Sequence, residues 1–154
     1  MSDPYLPTEV KTVEHGTPPE VFDPLNAEFG FILDAAASDE NALCDAYYTK
    51  EEDGTQQDWA SFSPVWCNPP FLAEDLQAFT SKAMREVANG VLTAFHVPAK
   101  TDQPWFHWLW ERYEAGIWRV EFRWIQGRVK YLGNKDRAPF SSLTVILGPK
   151  GWTR

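Results

Sequence analysis

The sequence predicts an α/β domain with a mainly parallel, twisted sheet, antiparallel strands at its C-terminal end, and flanking helices. Three observations carry this. Short apolar runs of strand length alternate with amphipathic runs of helical period through the first two-thirds of the chain. A run of period two, Ile117 to Ile125, is then followed by more strand-like segments. Finally, polar residues recur just beyond the apolar runs: Asp34 after one, Asn68 after another, Lys100 to Asp102 after a third. Open α/β sheets bind ligands at the carboxyl ends of their strands, so this recurrence points to an enzyme or cofactor-binding protein.

Taken in order, residues 1–14 read as a loose polar tail and 15–154 as a single domain. Thr17 is placed to cap a helix that opens at Pro18, carries Val21, Phe22, Leu25 and Phe29 at helical spacing, and stops at Gly30. Phe31-Ile32-Leu33 is a short strand ending at Asp34, and Ala35 to Ser38 lead towards a short helix near Asn41. Tyr47 to Thr49 form a second strand, followed by a polar loop with a turn at Asp53-Gly54. After the Val65 strand, Leu72, Leu76, Phe79, Ala83 and Val87 mark a long amphipathic helix ending at Asn89-Gly90. Val91 to Val97 is the next strand, and Pro104 opens a helix bearing Trp105, Trp108, Leu109 and Tyr113. In 117–125, Trp118, Val120, Phe122 and Trp124 share one face, and Arg119, Glu121 and Arg123 the other. Val129 to Tyr131 and Ser142 to Leu147 read as the last strands, paired across the loop Gly133 to Phe140.

Composition narrows the function. Cys44 and Cys67 are the only cysteines, and His15, His96 and His107 are scattered, so neither a disulfide framework nor a metal site is expected. No apolar segment suits membrane insertion or secretion, which predicts a cytoplasmic protein with no membrane partner. The net charge is −8, but residues 1–75 carry two basic side chains against sixteen acidic ones, whereas 76–154 carry twelve against six. Phosphate binding needs a local basic surface rather than a basic protein. A basic second half therefore suits a chain that offers nucleic acid one face.

The stretch with the most chemistry is Val65-Trp66-Cys67-Asn68-Pro69-Pro70-Phe71. An apolar strand ends at an amide, two prolines and an aromatic ring. The prolines fix the backbone and remove two N–H donors, leaving nearby carbonyls free to accept. Asn68 adds an acceptor on a short arm. Such a turn can grip a planar group that bears an amine.

With Leu33-Asp34-Ala35-Ala36 on one strand end and Asn68-Pro-Pro-Phe71 on another, the chain resembles amino-methyltransferases that use S-adenosyl-L-methionine. More narrowly it is similar to the phage-type DNA N-6-adenine methyltransferases. The matching stretches are Thr17 to Phe22, Phe29 to Ser38, Asn41 to Cys44, Asp53-Gly54, Gln57 to Trp59, Trp66 to Phe71, Pro98 to Phe106, Gly127-Arg128 and Pro139 to Ser142. The resemblance implies a Rossmann-like fold and methylation of adenine N6 in double-stranded DNA, in the cytoplasm of a bacterial host. Single-stranded DNA, RNA bases, protein glutamine, or an inactive nucleic-acid-binding module are the alternatives.

It further implies that Asn68, Pro69, Pro70 and Phe71 are catalytic. Thr17, Pro18, Phe22, Asp34, Ala35, Ala36, Ser38, Asp58 and Asn68 would hold the cofactor, with Asp34 near its amino-acid end and Asp58 near its adenine. Lys100, Arg119, Arg123, Arg128, Lys130, Lys135 and Arg137 are the expected nucleic-acid contacts, giving a short or weak sequence preference. Two features depart from the wider pattern: Ala35 to Ser38 replace the glycines that often follow the first strand, and Phe71 stands where tyrosine is common. Cys67 lacks the Pro-Cys setting of a cytosine-C5 nucleophile and reads as a core cysteine.

Overall fold

A computed structural model of the chain describes residues 15–153, so the expected tail at 1–14 lies outside the described residues. In chain order the elements are α1 (Pro19–Phe29), β1 (Leu33–Ala37), β2 (Ala46–Thr49), β3 (Val65–Cys67), α2 (Ala73–Val87), β4 (Thr93–Pro98), α3 (Pro104–Ala115), β5 (Trp118–Trp124) and β6 (Ser142–Pro149), with single 3-10 turns at Gly54–Gln56 and Ala60–Phe62. All six strands form one sheet, ordered β2-β1-β3-β4-β6-β5. The pairs β2–β1, β1–β3 and β3–β4 are parallel, while β4–β6 and β6–β5 are antiparallel. This is the Rossmann-like arrangement expected from the sequence. No helix among the described residues is long and apolar enough to cross a membrane.

Strand alternation sorts the core into two layers. Leu33, Ala35, Val65, Cys67, Phe95 and Val97 project to one side and pack against Leu76, Phe79 and Ala83 of α2 and Trp105 and Leu109 of α3. Trp66, Ala94 and Ile146 project to the other, against Phe22 and Phe29 of α1. The second face also carries the polar residues of interest, because Asp34 is in register with Trp66, and Asn68 lies two residues beyond it.

Several boundaries differ from the sequence reading, each for a physical reason. Helix α1 begins one residue later than expected: Pro18 is extended at the N-cap (φ −73°, ψ 153°), and no side chain caps the helix. Thr17 uses its hydroxyl elsewhere, as described below. Asp34 lies inside β1 rather than after it, and 38–41 is a reciprocal Ser38–Asn41 turn instead of a helix start. Val129 to Tyr131 do not form a strand. Strand β6 pairs over its length with β4 and β5, where its continuous apolar run is buried on both faces. Val129 and Tyr131 instead bury themselves in a small cluster with Ala138, while Leu132 bridges back to Gly16.

Candidate active site

Asn68 immediately follows β3, whose three residues are fully buried, so its backbone starts from a fixed point. Its side-chain Nδ2 donates to the main-chain oxygen of His15 (2.6 Å) and to Thr17 Oγ1 (2.8 Å). Both amide hydrogens are thus used. The amide oxygen, Oδ1, is shielded from solvent and has no hydrogen-bond partner among the described residues. A buried carbonyl-type acceptor left without a donor costs about 1–3 kcal/mol. Such a group is either strained or waiting for a ligand's N–H.

Phe71 stands beside it in an aromatic box. The His15 imidazole stacks on Phe71 at 4.5 Å and 25°, while Tyr131 (5.6 Å) and Phe140 (5.7 Å) present edges to the same ring. The stacked pair leaves no room for a third plane between its members. A planar ligand using that face of Phe71 takes the imidazole's place.

Behind the box lies a polar relay that the sequence reading missed. His96 Nε2 meets the Tyr131 hydroxyl at 2.7 Å, Tyr131 meets Ser142 Oγ at 2.7 Å, and His96 Nδ1 meets Thr144 Oγ1 at 3.2 Å. Burial lowers His96 to about 3 and lifts Tyr131 to about 12, so both are neutral at pH 7. The signal for His96 was its spacing two residues after Ala94, which puts it on the Trp66 face of β4. Cys67 is fully buried and its thiol is pushed well above the usual value, an inert core cysteine as expected.

Asp34 is the buried carboxylate of the same face. It accepts from Leu43 N (3.1 Å) and Ala36 N (3.4 Å), which offset only part of the burial that raises it to about 6. An anion so incompletely compensated suits a ligand that brings a cation or N–H donors. The shift has a measurable consequence. Because the folded value lies above the unfolded one, Asp34 favours the native state fully below pH about 4, and that contribution is lost as pH rises through about 6, amounting to about 2–3 kcal/mol. Urea titrations of wild type and Asp34→Asn are expected to show the variant gaining stability relative to wild type between pH 4 and 7. A difference that stays flat would contradict the buried, raised carboxyl.

The other expected cofactor residues fall in four settings. Thr17 and Pro18 are buried beside Asn68 and the start of α1, and Ala35, Ala36 and Ser38 run along and past β1. Phe22 is a core residue, edge-on to Trp66 at 5.2 Å, so it shapes the site from behind. Asp58 is exposed, and its hydrogen bonds to Ser61 hold its carboxyl below the usual value; its main-chain oxygen accepts from Tyr48 (2.6 Å). Gly54 presses on β1 so closely that a Cβ would overlap the Ala35 carbonyl oxygen.

The basic residues divide sharply. Arg123 makes a two-pronged ion pair with Glu28 of α1 (2.6 and 2.8 Å) and also bonds Glu121, and Arg119 pairs with Glu121 (3.2 Å). Both guanidinium groups sit over the Phe29 ring. Their charge is largely answered within the fold. Lys100 is half-buried just past β4. Arg128, Lys130, Lys135 and Arg137 are exposed on the segment between β5 and β6, where Arg137 donates to the Arg128 carbonyl (2.8 Å). Arg128, Lys130 and Arg137 line a groove of about 570 Å³ between this segment and the start of α1, which Tyr131 also borders.

Comparison with known proteins adds a separate line of support. A profile of the DNA N-6-adenine-methyltransferase (Dam) family matches residues 6–144. The DNA N-6-adenine-methyltransferase of Escherichia phage T1 is 34% identical over 137 residues, covering 88% of this chain and 54% of the phage protein. An Escherichia coli (strain K12) protein named "Putative methyltransferase YfdM" is 36% identical over 61 residues, covering 36% of this chain and 67% of that protein. The chain therefore spans about half the length of the phage relative.

Proposed function

The chain belongs to the DNA N-6-adenine-methyltransferase family, and on that premise we propose that it transfers a methyl group from S-adenosyl-L-methionine to the N6 amino group of adenine in DNA. The observation that carries this reading is the buried Oδ1 of Asn68, without a partner among the described residues, at a rigid strand end beside Phe71.

The chemistry requires such an acceptor. The adenine amine is a poor nucleophile because its lone pair is delocalised into the ring. Asn68 Oδ1 accepts one amine hydrogen and the Pro69 carbonyl the other, which returns electron density to nitrogen; Pro70 keeps the turn rigid. Positioning and electrostatics then suffice without a covalent enzyme intermediate. S-adenosyl-L-methionine supplies the electrophilic sulfonium methyl. Asp34 fits the ammonium of its amino-acid end, which would relieve the carboxylate's uncompensated burial. Pro18 and the Ala35, Ala36 and Ser38 backbone line the same end, and Asp58 is assigned to the adenosine end.

The target base stacks on Phe71 in place of the His15 ring, contributing about 1–3 kcal/mol against the cost of leaving the DNA stack. Arg128, Lys130, Lys135 and Arg137 provide the phosphate-facing surface, with Lys100 nearer the β4 end. Arg119 and Arg123 contribute less, because Glu28 and Glu121 hold their charge.

Offering the protein labelled S-adenosyl-L-methionine with DNA, RNA or protein acceptors separately is expected to label DNA, and nucleoside digestion to yield N6-methyladenine. Label confined to protein or RNA would overturn the assigned acceptor.

A further inference from the structure

We propose that the Thr17 hydroxyl, together with the His15 main-chain carbonyl, is a positioning element for transfer: it holds the Asn68 amide in the orientation that turns its oxygen to the substrate amine. The proposal rests on the methyltransferase reading and assigns Thr17 a task at the acceptor rather than the cofactor.

The two ends of an asparagine amide have nearly the same size, but they are opposite in hydrogen bonding. A flipped Asn68 would present an NH2 group to an amine that itself needs acceptors. The site rules this out chemically. A carbonyl can only accept, so the amide end 2.6 Å from the His15 oxygen must be nitrogen. That single contact selects the flip, yet it leaves the amide free to swing about its own axis. The second hydrogen, accepted by Thr17 Oγ1 at 2.8 Å, fixes the plane. With both hydrogens committed, Oδ1 is the one hydrogen-bonding atom of the side chain left over, and it is buried without a partner among the described residues.

The surrounding chain is built to hold these two anchors. Leu132 N donates to the Gly16 carbonyl (2.9 Å), pinning the strap between them, and Pro18 and Pro19 stiffen its exit into α1. Thr17 is buried and stands one residue before the Pro18 N-cap, in a residue type and region suited to capping. It gives up that role, and α1 starts without any side-chain cap. The hydroxyl is committed to Asn68 instead.

The test compares Thr17→Val, which keeps the shape but removes the acceptor, with Thr17→Ser, which keeps the hydroxyl. Thr17→Val is expected to lower kcat by about ten- to a hundredfold, the range for a reacting group held out of line, with KM for S-adenosyl-L-methionine within about threefold of wild type. Thr17→Ser is expected to recover most of that loss. Nitrogen-15 NMR of the Asn68 side-chain amide provides a readout that needs no turnover: two slowly exchanging, hydrogen-bonded protons in wild type and Thr17→Ser, and faster exchange in Thr17→Val. An unchanged kcat in Thr17→Val, a loss confined to the cofactor KM, or identical amide exchange in all three proteins would overturn the proposal. Failure of wild type to methylate any acceptor would instead overturn the reading it rests on, while the amide exchange would still test the lock.

Discussion

Asn68→Ala is expected to lower kcat for methyl transfer by roughly 100- to 1,000-fold, the range seen when one preorganised hydrogen-bonding group is removed from a transition-state site. The loss falls on the chemical step because Oδ1 has no hydrogen-bond partner among the described residues whose loss would disturb the fold. What the fold does lose is the donor to the His15 carbonyl and to Thr17, and each acceptor so left unpaired costs up to about 1–3 kcal/mol. That is partly offset by removing the unpaired Oδ1, and it is to be set against a typical domain stability of about 5–15 kcal/mol. Single-turnover rates, thermal melts and calorimetric titration with S-adenosyl-L-methionine separate these effects. A near-normal rate in a folded variant that binds the cofactor would remove Asn68 from the mechanism.

Gly54→Ala is expected to be the most damaging single methyl addition near the site. The new Cβ would overlap the Ala35 carbonyl oxygen, and the next neighbours are the Ala35 carbonyl carbon at 3.2 Å and Phe79 Cε1 at 3.3 Å. A flexible side chain could move away, but a carbonyl inside β1 cannot move without shifting the strand that carries Asp34. Nor can the 3-10 turn at Gly54–Gln56 retreat freely, because the Gly54 carbonyl accepts from the fully buried Trp59 indole at 2.9 Å. Overpacking of about 1–3 kcal/mol plus a strained or broken buried hydrogen bond of similar size gives a loss of about 2–6 kcal/mol. Urea denaturation measures this directly. A midpoint equal to wild type would show that the turn and strand can separate at little cost.

These two expectations also show where the sequence was informative. Asn68 was legible because its meaning is local: a strand, an amide and two prolines define the turn wherever the chain folds. The parallel half of the sheet and the helices were legible for the same reason, since periodicity and Gly or Pro punctuation act over a few residues. Gly54 was legible only as a turn. Its close approach to Ala35 depends on the packing of β1 against a loop, and no local pattern encodes that. Thr17 looked like a cap because threonine before proline and a helix usually is one; its actual partner lies 51 residues away.

The same limit explains Arg119 and Arg123. Along β5 they form a basic face, but Glu28 arrives from α1, which is 95 residues removed from Arg123. Burial of Val129 and Tyr131 around exposed Lys130 follows the expected alternation. The strand partner did not follow, because β6 found better neighbours in β4 and β5.

The strap at His15 to Thr17 also sets a timetable. Its partners are Asn68 and Phe71, then Leu132 and Tyr131, and finally Phe140. On the ribosome the strap is made well before Tyr131, Leu132 and Phe140, and its docking is complete only once they have followed. Contacts so distant along the sequence form late and slowly. A nascent or truncated chain that already has its parallel strands therefore still lacks a closed acceptor site. Closure around Asn68 and Phe71 therefore waits for Tyr131, Leu132 and Phe140 to join the strap, however complete the rest of the sheet.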